Sequence, residues 1–169
     1  MRSIVETILL LSIIYNSKGR FMRILIDGDS CPVKEEICKI AKTYKIEVLI
    51  FSSTAHYTDN RLEAKYITVD SNYQAVDLEL VQQLTKQDLV VTNDYGLAAL
   101  VLGFDAAAIS IYGKVFTEKN IDYLLSRNHF MGRLRRQKKY ISKASKYTKE
   151  KRERFKESLI KLIENKSNI

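Results

Sequence analysis

Arg23-Ile24-Leu25-Ile26-Asp27 (RILID), running on into Gly28-Asp29-Ser30-Cys31-Pro32, is the stretch that decides the fold. Consecutive aliphatic residues closed by an acid read as a short strand buried on both faces, since a half-buried strand would alternate apolar with polar positions. Pro32 then stands where a first helical turn tolerates it, and Val33, Ile37, Ile40, Ala41 and Tyr44 recur at helical spacing. Further strands are predicted at Glu47–Phe51 (EVLIF), Tyr66–Val69, Asp88–Thr92 (DLVVT) and Ala106–Ile111. Ser52–Arg61 reads as a polar loop, Val76, Leu80, Val81 and Leu84 as a helix face, and Gly96–Leu102 as a helix. Solidly apolar strands alternating with helices predict an α/β fold of three layers, α/β/α, around a mostly parallel central sheet.

Two more helices follow. Thr117 is placed to cap one over 118–126, and Thr148 to cap a last one whose stripe is Phe155, Leu159, Leu162 and Ile163. Such a stripe has to be buried, so the last helix is expected to dock on the body. The chain accordingly divides into an α/β domain over 22–126 and a basic C-terminal helical segment over 127–169. Residues 1–21 are treated apart. Ile4–Tyr15 is apolar but too short to span a bilayer comfortably, and no small-residue cleavage site follows it. Lys18-Gly19-Arg20 can be encoded by a purine-rich AAAGGAAGA resembling a ribosome-binding site, so Met22 is read as the true start and 1–21 as a mis-called extension.

At 169 residues, 46% hydrophobic and 28% charged with one proline, the composition excludes pervasive disorder. The net charge of +8 is concentrated: Arg127–Lys156 holds thirteen Lys and Arg against Glu150 and Glu153, a local balance of +11 that leaves −3 for the rest. That polarity points to a polyanionic partner, nucleic acid ahead of membrane; the plainer alternative is a well-solvated helical surface. Cys31 and Cys38, seven residues apart, would be separated by about 10 Å along a helix, too far for a disulfide. His56 and His129 lack the spacing to complete a zinc site. Reduced structural thiols in a cytoplasmic protein, without stable membrane association, are expected.

Ligands of open α/β sheets bind outside the carboxyl ends of the strands, so acids placed there are informative. Asp27 closes the first strand, Asp29 follows it, and Asp94 lies just past the fourth in Thr92-Asn93-Asp94-Tyr95-Gly96. Asp77 and Glu79 stand near the start of the preceding helix. Each has a structural alternative: Asp29 and Ser30 as turn residues, Asp94 as a helix cap, Asp77 and Glu79 as partners of a positive helix end, Gly28 as a tight-turn residue. Together, crowded carboxylates repel one another and call for a counter-cation. Oxygen-only ligation favours Mg²⁺ or Mn²⁺ over zinc, and such an ion lowers the pKa of water and offsets charge developing on a phosphate.

From Met22, MRILIDGDSCP resembles the opening motif of the YaiI/YqxD family of small bacterial proteins. The likeness continues through Asp70-Ser71, Ala75-Val76-Asp77, Asp88–Asp94, Gly113, Phe116-Thr117, Asn120-Ile121, Arg127 and Arg133–Arg136, covering nearly all of the chain after Met22. That family is similar in pattern to PIN-like and NYN-type domains, metal-dependent nucleases acting mostly on RNA. The resemblance implies a PIN-like fold with Asp27 as the acid after the first strand, Asp29 as its companion, Asp77 as the helix acid and Asp94 as the acid after the fourth strand. Glu79 and Asp105 are looser matches. One departure is Tyr140–Lys146, YISKASK, where many relatives carry a Gly- and Pro-rich stretch.

The reading favoured at this level is phosphodiester hydrolysis, in RNA, with Asp27, Asp29, Asp77 and Asp94 holding Mg²⁺ or Mn²⁺. Arg127, Arg133, Arg135, Arg136, Lys138 and Lys139 would hold backbone phosphates, and Thr92 and Asn93 would orient a ligand or water. Two alternatives stay open. One is a HAD-like phosphatase with Asp27 as nucleophile and Asp29 as acid/base, though the later lysine and paired acids of that fold have no evident place. The other is a non-enzymatic RNA-binding module, with Tyr140, Tyr147 and Phe155 interleaved among the charges. His56 and Tyr57 lie in the polar loop and are read as surface residues.

Overall fold

A computed structural model describes residues 22–29, 31–54, 62–70, 75–136 and 146–167. Among them are six strands: β1 (Arg23–Asp27), β2 (Glu47–Ser53), β3 (Lys65–Val69), β4 (Leu89–Val91), β5 (Ala107–Ile109) and β6 (Val115–Phe116). Five helices accompany them: α1 (Lys34–Tyr44), α2 (Ala75–Gln83), α3 (Tyr95–Gly103), α4 (Glu118–Arg136) and α5 (Lys149–Ser167). The expectations for residues 1–21, for His56 and Tyr57, and for Lys138, Lys139 and Tyr140 lie outside the described residues.

The strands form one sheet in the order β3-β2-β1-β4-β5-β6. All pairs are parallel except β5–β6, where the chain turns back on itself. Alternation of side chains across the pleat splits the apolar residues into two cores. Ile24, Ile26, Val48, Ile50, Val91 and Ile109 face α1 and α5. Leu25, Leu49, Phe51, Val90 and Ala108 face α2, α3 and α4. A strand covered on both sides has no polar alternation to show, which is why RILID and EVLIF are continuous apolar runs.

The last helix docks as its stripe demands: Phe155, Leu159 and Ile163 are fully buried. Thr148 starts it, its hydroxyl accepting the Lys151 N–H and its carbonyl the Arg152 N–H. Side chains then fix the helix against α1, with Arg152 pairing with Glu36 and the Tyr44 hydroxyl donating to Glu164 Oε1 at 2.9 Å. Gly113, at φ +79°, allows the turn between β5 and β6 to press on α5; an added Cβ would sit 2.9 Å from Ser158 Oγ and 3.0 Å from the Arg154 carbonyl oxygen.

Two local expectations are revised. β2 extends through Ser52 and Ser53, which are buried because their backbones pair with Thr68 and Val69. The helix expected over 118–126 continues to Arg136. Thr117 precedes its first residue, with its carbonyl accepting the Ile121 N–H at 3.0 Å and its own N–H donating to Asn120 Oδ1 at 3.1 Å. No described helix is long and apolar enough to cross a membrane.

Candidate functional site

The strand order reverses between β1 and β4: the chain leaves β1 toward β2 and β3 on one side, and β4 toward β5 on the other. The crevice of a doubly wound sheet opens at that boundary. Ile26 is in register with Val91, so Asp27 and Thr92 follow as neighbours at the carboxyl ends. The Thr92 hydroxyl donates to Asp27 Oδ2 at 2.9 Å and accepts the Asp94 N–H at 3.0 Å. One buried hydroxyl thus ties the two strand-end acids together.

Asp94 also caps α3, its Oδ1 accepting the N–H groups of Gly96 at 2.6 Å and Leu97 at 3.1 Å. The capping alternative and placement at the crevice are therefore both true of it. Asp29 turns toward β2, where its Oδ1 accepts the Ser53 N–H at 2.9 Å. Between the two acids Gly28 pairs with β2, its N–H donating to the Phe51 carbonyl at 2.8 Å. A Cβ there would lie 2.7 Å from that same oxygen and 2.8 Å from Ile50 Cγ2. Glycine is required by this close approach rather than by a tight turn.

Asp77, in the first turn of α2, completes the group. Burial, then the charges of Asp27, Asp94 and Asp29 in that order, push its carboxyl up to about 6. Burial also raises Asp27; the Thr92 hydroxyl opposes the rise, Asp29 and Asp94 add to it, and Lys34 offsets part of it. All four aspartates expected from the sequence therefore share one electrostatic neighbourhood. Among the described residues, no three His, Cys, Asp or Glu side chains are already gathered tightly enough to enclose an ion. The donor set nonetheless suits a hard divalent cation: it is oxygen only, and Asp27 and Asp77 are each raised by the charges of neighbouring acids.

The looser matches fall elsewhere. Glu79 Oε1 accepts a hydrogen bond from Gln83 Nε2 at 2.7 Å along its own helix. Asp105 is exposed, in a left-handed turn ahead of β5, at the amino end of the sheet. The sequence reading passed over Asp88, the one fully buried carboxylate among the described residues. It grips Arg23 through two bonds, 3.0 Å to Nε and 2.7 Å to Nη2, and accepts the N–H and hydroxyl of Thr85. Sited at the amino ends of β1 and β4, it locks the far side of the sheet. Cys31 and Cys38 are free and buried, and burial pushes the Cys31 thiol up to about 11.

Beyond Asn93 the β4–α3 turn forms the wall of a second feature, a cavity of about 320 Å³. Tyr95, Tyr112 and Phe116 contribute rings to it, and Lys114 and Arg127 contribute positive charge. Asn93 Oδ1 accepts the Ile111 N–H at 3.2 Å, which fixes the orientation of its amide. Arg127 was expected among phosphate-binding residues; Ser110, Tyr112 and Lys114 were not, and the basic neighbour of Gly113 was the only local signal for them. Arg133, Arg135 and Arg136 lie exposed roughly 9–14 Å farther along α4.

The family model described as "Uncharacterized BCR, YaiI/YqxD family" matches residues 25–165. A UPF0178 protein of Clostridium kluyveri is 42% identical over 144 residues, 85% of this chain and 94% of its own length. UPF0178 proteins of Halalkalibacterium halodurans and Enterococcus faecalis are 38% identical over 150 residues and 36% over 144. They cover 89% and 84% of this chain, and 96% and 97% of their own lengths. No solved structure matches the chain.

Proposed function

This chain belongs to the YaiI/YqxD family, and on that premise we propose that it is a Mg²⁺- or Mn²⁺-dependent nuclease that hydrolyses phosphodiester bonds in RNA. The observation that carries the reading is the convergence of Asp27, Asp29, Asp77 and Asp94 at the β1–β4 crevice, where burial first, and then the charges of the other three acids, raise Asp77 to about 6. Carboxylates are costly to crowd in this way unless a cation reconciles them. The four aspartates would hold the ion, which supplies charge neutralisation at the phosphate and a lowered pKa for the attacking water.

The chain's own groups do the remaining work. Thr92 holds the Asp27 carboxylate in place and opposes the rise that burial imposes on it. Backbone N–H donors at Ser53, Gly96 and Leu97 anchor Asp29 and Asp94, so that approach of a phosphate costs little rearrangement. Lys34, Lys114 and Arg127 bring positive charge to the same end of the sheet, where the strand's phosphates must be drawn past four acids. Arg133, Arg135 and Arg136 extend that track along α4. The PIN-like resemblance, with acids after the first and fourth strands, supports the same assignment.

Incubation with a single-stranded RNA oligonucleotide in Mn²⁺, with EDTA as control, tests it. Asp27→Asn and Asp94→Asn should each abolish cleavage while leaving the fold intact, because Asn still accepts from Thr92 and still caps a helix. Wild-type rates in both variants would remove the assignment. A salt-sensitive RNA complex in EDTA with no turnover in Mn²⁺ would make the chain an RNA-binding module instead.

A further inference from the structure

The cavity beside the acidic crevice has a composition that selects its ligand. Of its polar side chains, Asn93 accepts the Ile111 N–H through Oδ1, which leaves its amide N–H groups as donors. The Ser110 oxygen already accepts the N–H groups of Tyr112 at 3.3 Å and Lys114 at 3.1 Å, which leaves its hydroxyl proton to give. Lys114 and Arg127 are donors only, and no ion pair joins either to a described acid. Among the described residues, no carboxylate lines the space. A wall rich in donors, carrying two cations and no acid, favours an anion rich in acceptors and disfavours amines and metal ions.

The apolar part is aromatic. Phe116 is buried at the base, edge-on to Tyr95 with ring centroids 5.8 Å apart. Tyr112 is 44% exposed and is braced by Tyr147, tilted 42° to it at 5.7 Å between centroids, and by Lys151, whose Nζ stands 5.3 Å over the ring centroid. A braced, exposed ring gives a planar ligand a surface to stack on at little entropic cost. The volume, about 320 Å³, lies at the low end of ligand cavities, roughly 300–1,000 Å³. It suits one nucleotide and not a duplex.

We propose that this cavity is a subsite for a single nucleotide, with Tyr112 stacking on the base and Arg127 and Lys114 holding its phosphate. Asn93 belongs to the cavity and its neighbours Thr92 and Asp94 to the crevice, so the bond joining the seated nucleotide to the next one is delivered to the aspartates. Single-stranded RNA with a nucleotide that can be unstacked is then the substrate class. This role in cleavage rests on the nuclease reading, whereas binding of the nucleotide does not.

Isothermal titration of the full chain in EDTA with adenosine 5′-monophosphate and uridine 5′-monophosphate, against adenosine and inorganic phosphate, separates the two. Both nucleotides should bind about tenfold or more tighter than adenosine or phosphate alone, since each partner lacks one half of the contacts. Arg127→Ala and Tyr112→Ala, both at exposed positions, should each weaken nucleotide binding by about tenfold while circular dichroism stays unchanged. Nucleotides binding no tighter than inorganic phosphate, or both variants binding as the wild type does, would overturn the subsite. Nucleotide binding as expected without RNA cleavage in Mn²⁺ would overturn the nuclease reading and leave the subsite standing. Cleavage of RNA without measurable mononucleotide binding would do the reverse.

Discussion

Thr92 donates its hydroxyl proton to Asp27 across the β1–β4 boundary, a 2.9 Å bond between residues 65 positions apart. The same oxygen receives the Asp94 N–H. Two acids from separate strands are thereby held in a fixed relation by a side chain that is itself only 1% exposed.

Replacing Thr92 with Val removes both bonds and keeps the shape. At about 0.5–1.5 kcal/mol per hydrogen bond, the loss should be about 1–3 kcal/mol in urea unfolding. Thr92→Ser retains the hydroxyl and should recover most of it. RNA cleavage in Mn²⁺ should follow the same order, and equal stability of the Val and Ser variants would show that the hydroxyl is idle.

The acidic cluster predicts the pH dependence of the metal-free protein. Asp77 moves from an ordinary 3.8 in the unfolded chain to about 6 in the folded one. Between those values the folded state binds more protons, so stability falls as pH rises through the window and levels off above it. Asp77→Asn should flatten that descent in thermal melts taken in EDTA. At pH 7 it should stabilise the protein on the order of 1 kcal/mol once solvent screening is allowed for. With saturating Mn²⁺ the wild-type slope should reverse, because ligation requires the carboxylate form. A slope unchanged by both treatments would dissolve the cluster as an electrostatic unit.

Gly28→Ala brings a methyl group against the Phe51 carbonyl and Ile50. Repulsion at these distances should cost about 1–3 kcal/mol of stability and displace Asp27 and Asp29 with the backbone. Cleavage should then drop by more than the unfolded fraction accounts for. Chemical denaturation alongside single-turnover kinetics would show it; a variant as stable and active as the wild type would contradict the geometry.

Phe155→Ala should lower stability by about 3–5 kcal/mol, since the ring is fully buried in the core shared with α1. Arg154→Ala, at the exposed position next to it in the sequence, should change stability by less than about 0.5 kcal/mol. Comparable losses in the two variants would mean that α5 is held by charge and not by its apolar stripe.

Much of the fold was legible because burial on both faces leaves strands as unbroken aliphatic runs, as in Ile24-Leu25-Ile26 and Val48-Leu49-Ile50. The strand-end aspartates were legible for the same reason, standing out where such runs stop. Strand β6 was missed, since Val115-Phe116 is too short to carry a period. Ser52 and Ser53 were misread as loop because backbone pairing with β3, invisible in composition, decides their state. The dual use of Thr92 depends on a register between β1 and β4, and the aromatic cavity on three segments that meet only after folding. Neither leaves a mark at fixed spacing.

The placement of α5 also sets a schedule for the nascent polypeptide. Ile24, Val91 and Ile109 leave the exit tunnel long before Phe155, Leu159 and Ile163, the residues that roof their side of the sheet. Until synthesis reaches that closing element, α1 alone covers this face, and the product carries a greasy flank open to neighbouring chains. Chaperone demand should accordingly peak late, and a stop codon placed just after α4 should yield an aggregating product even though every acid of the crevice has already been made.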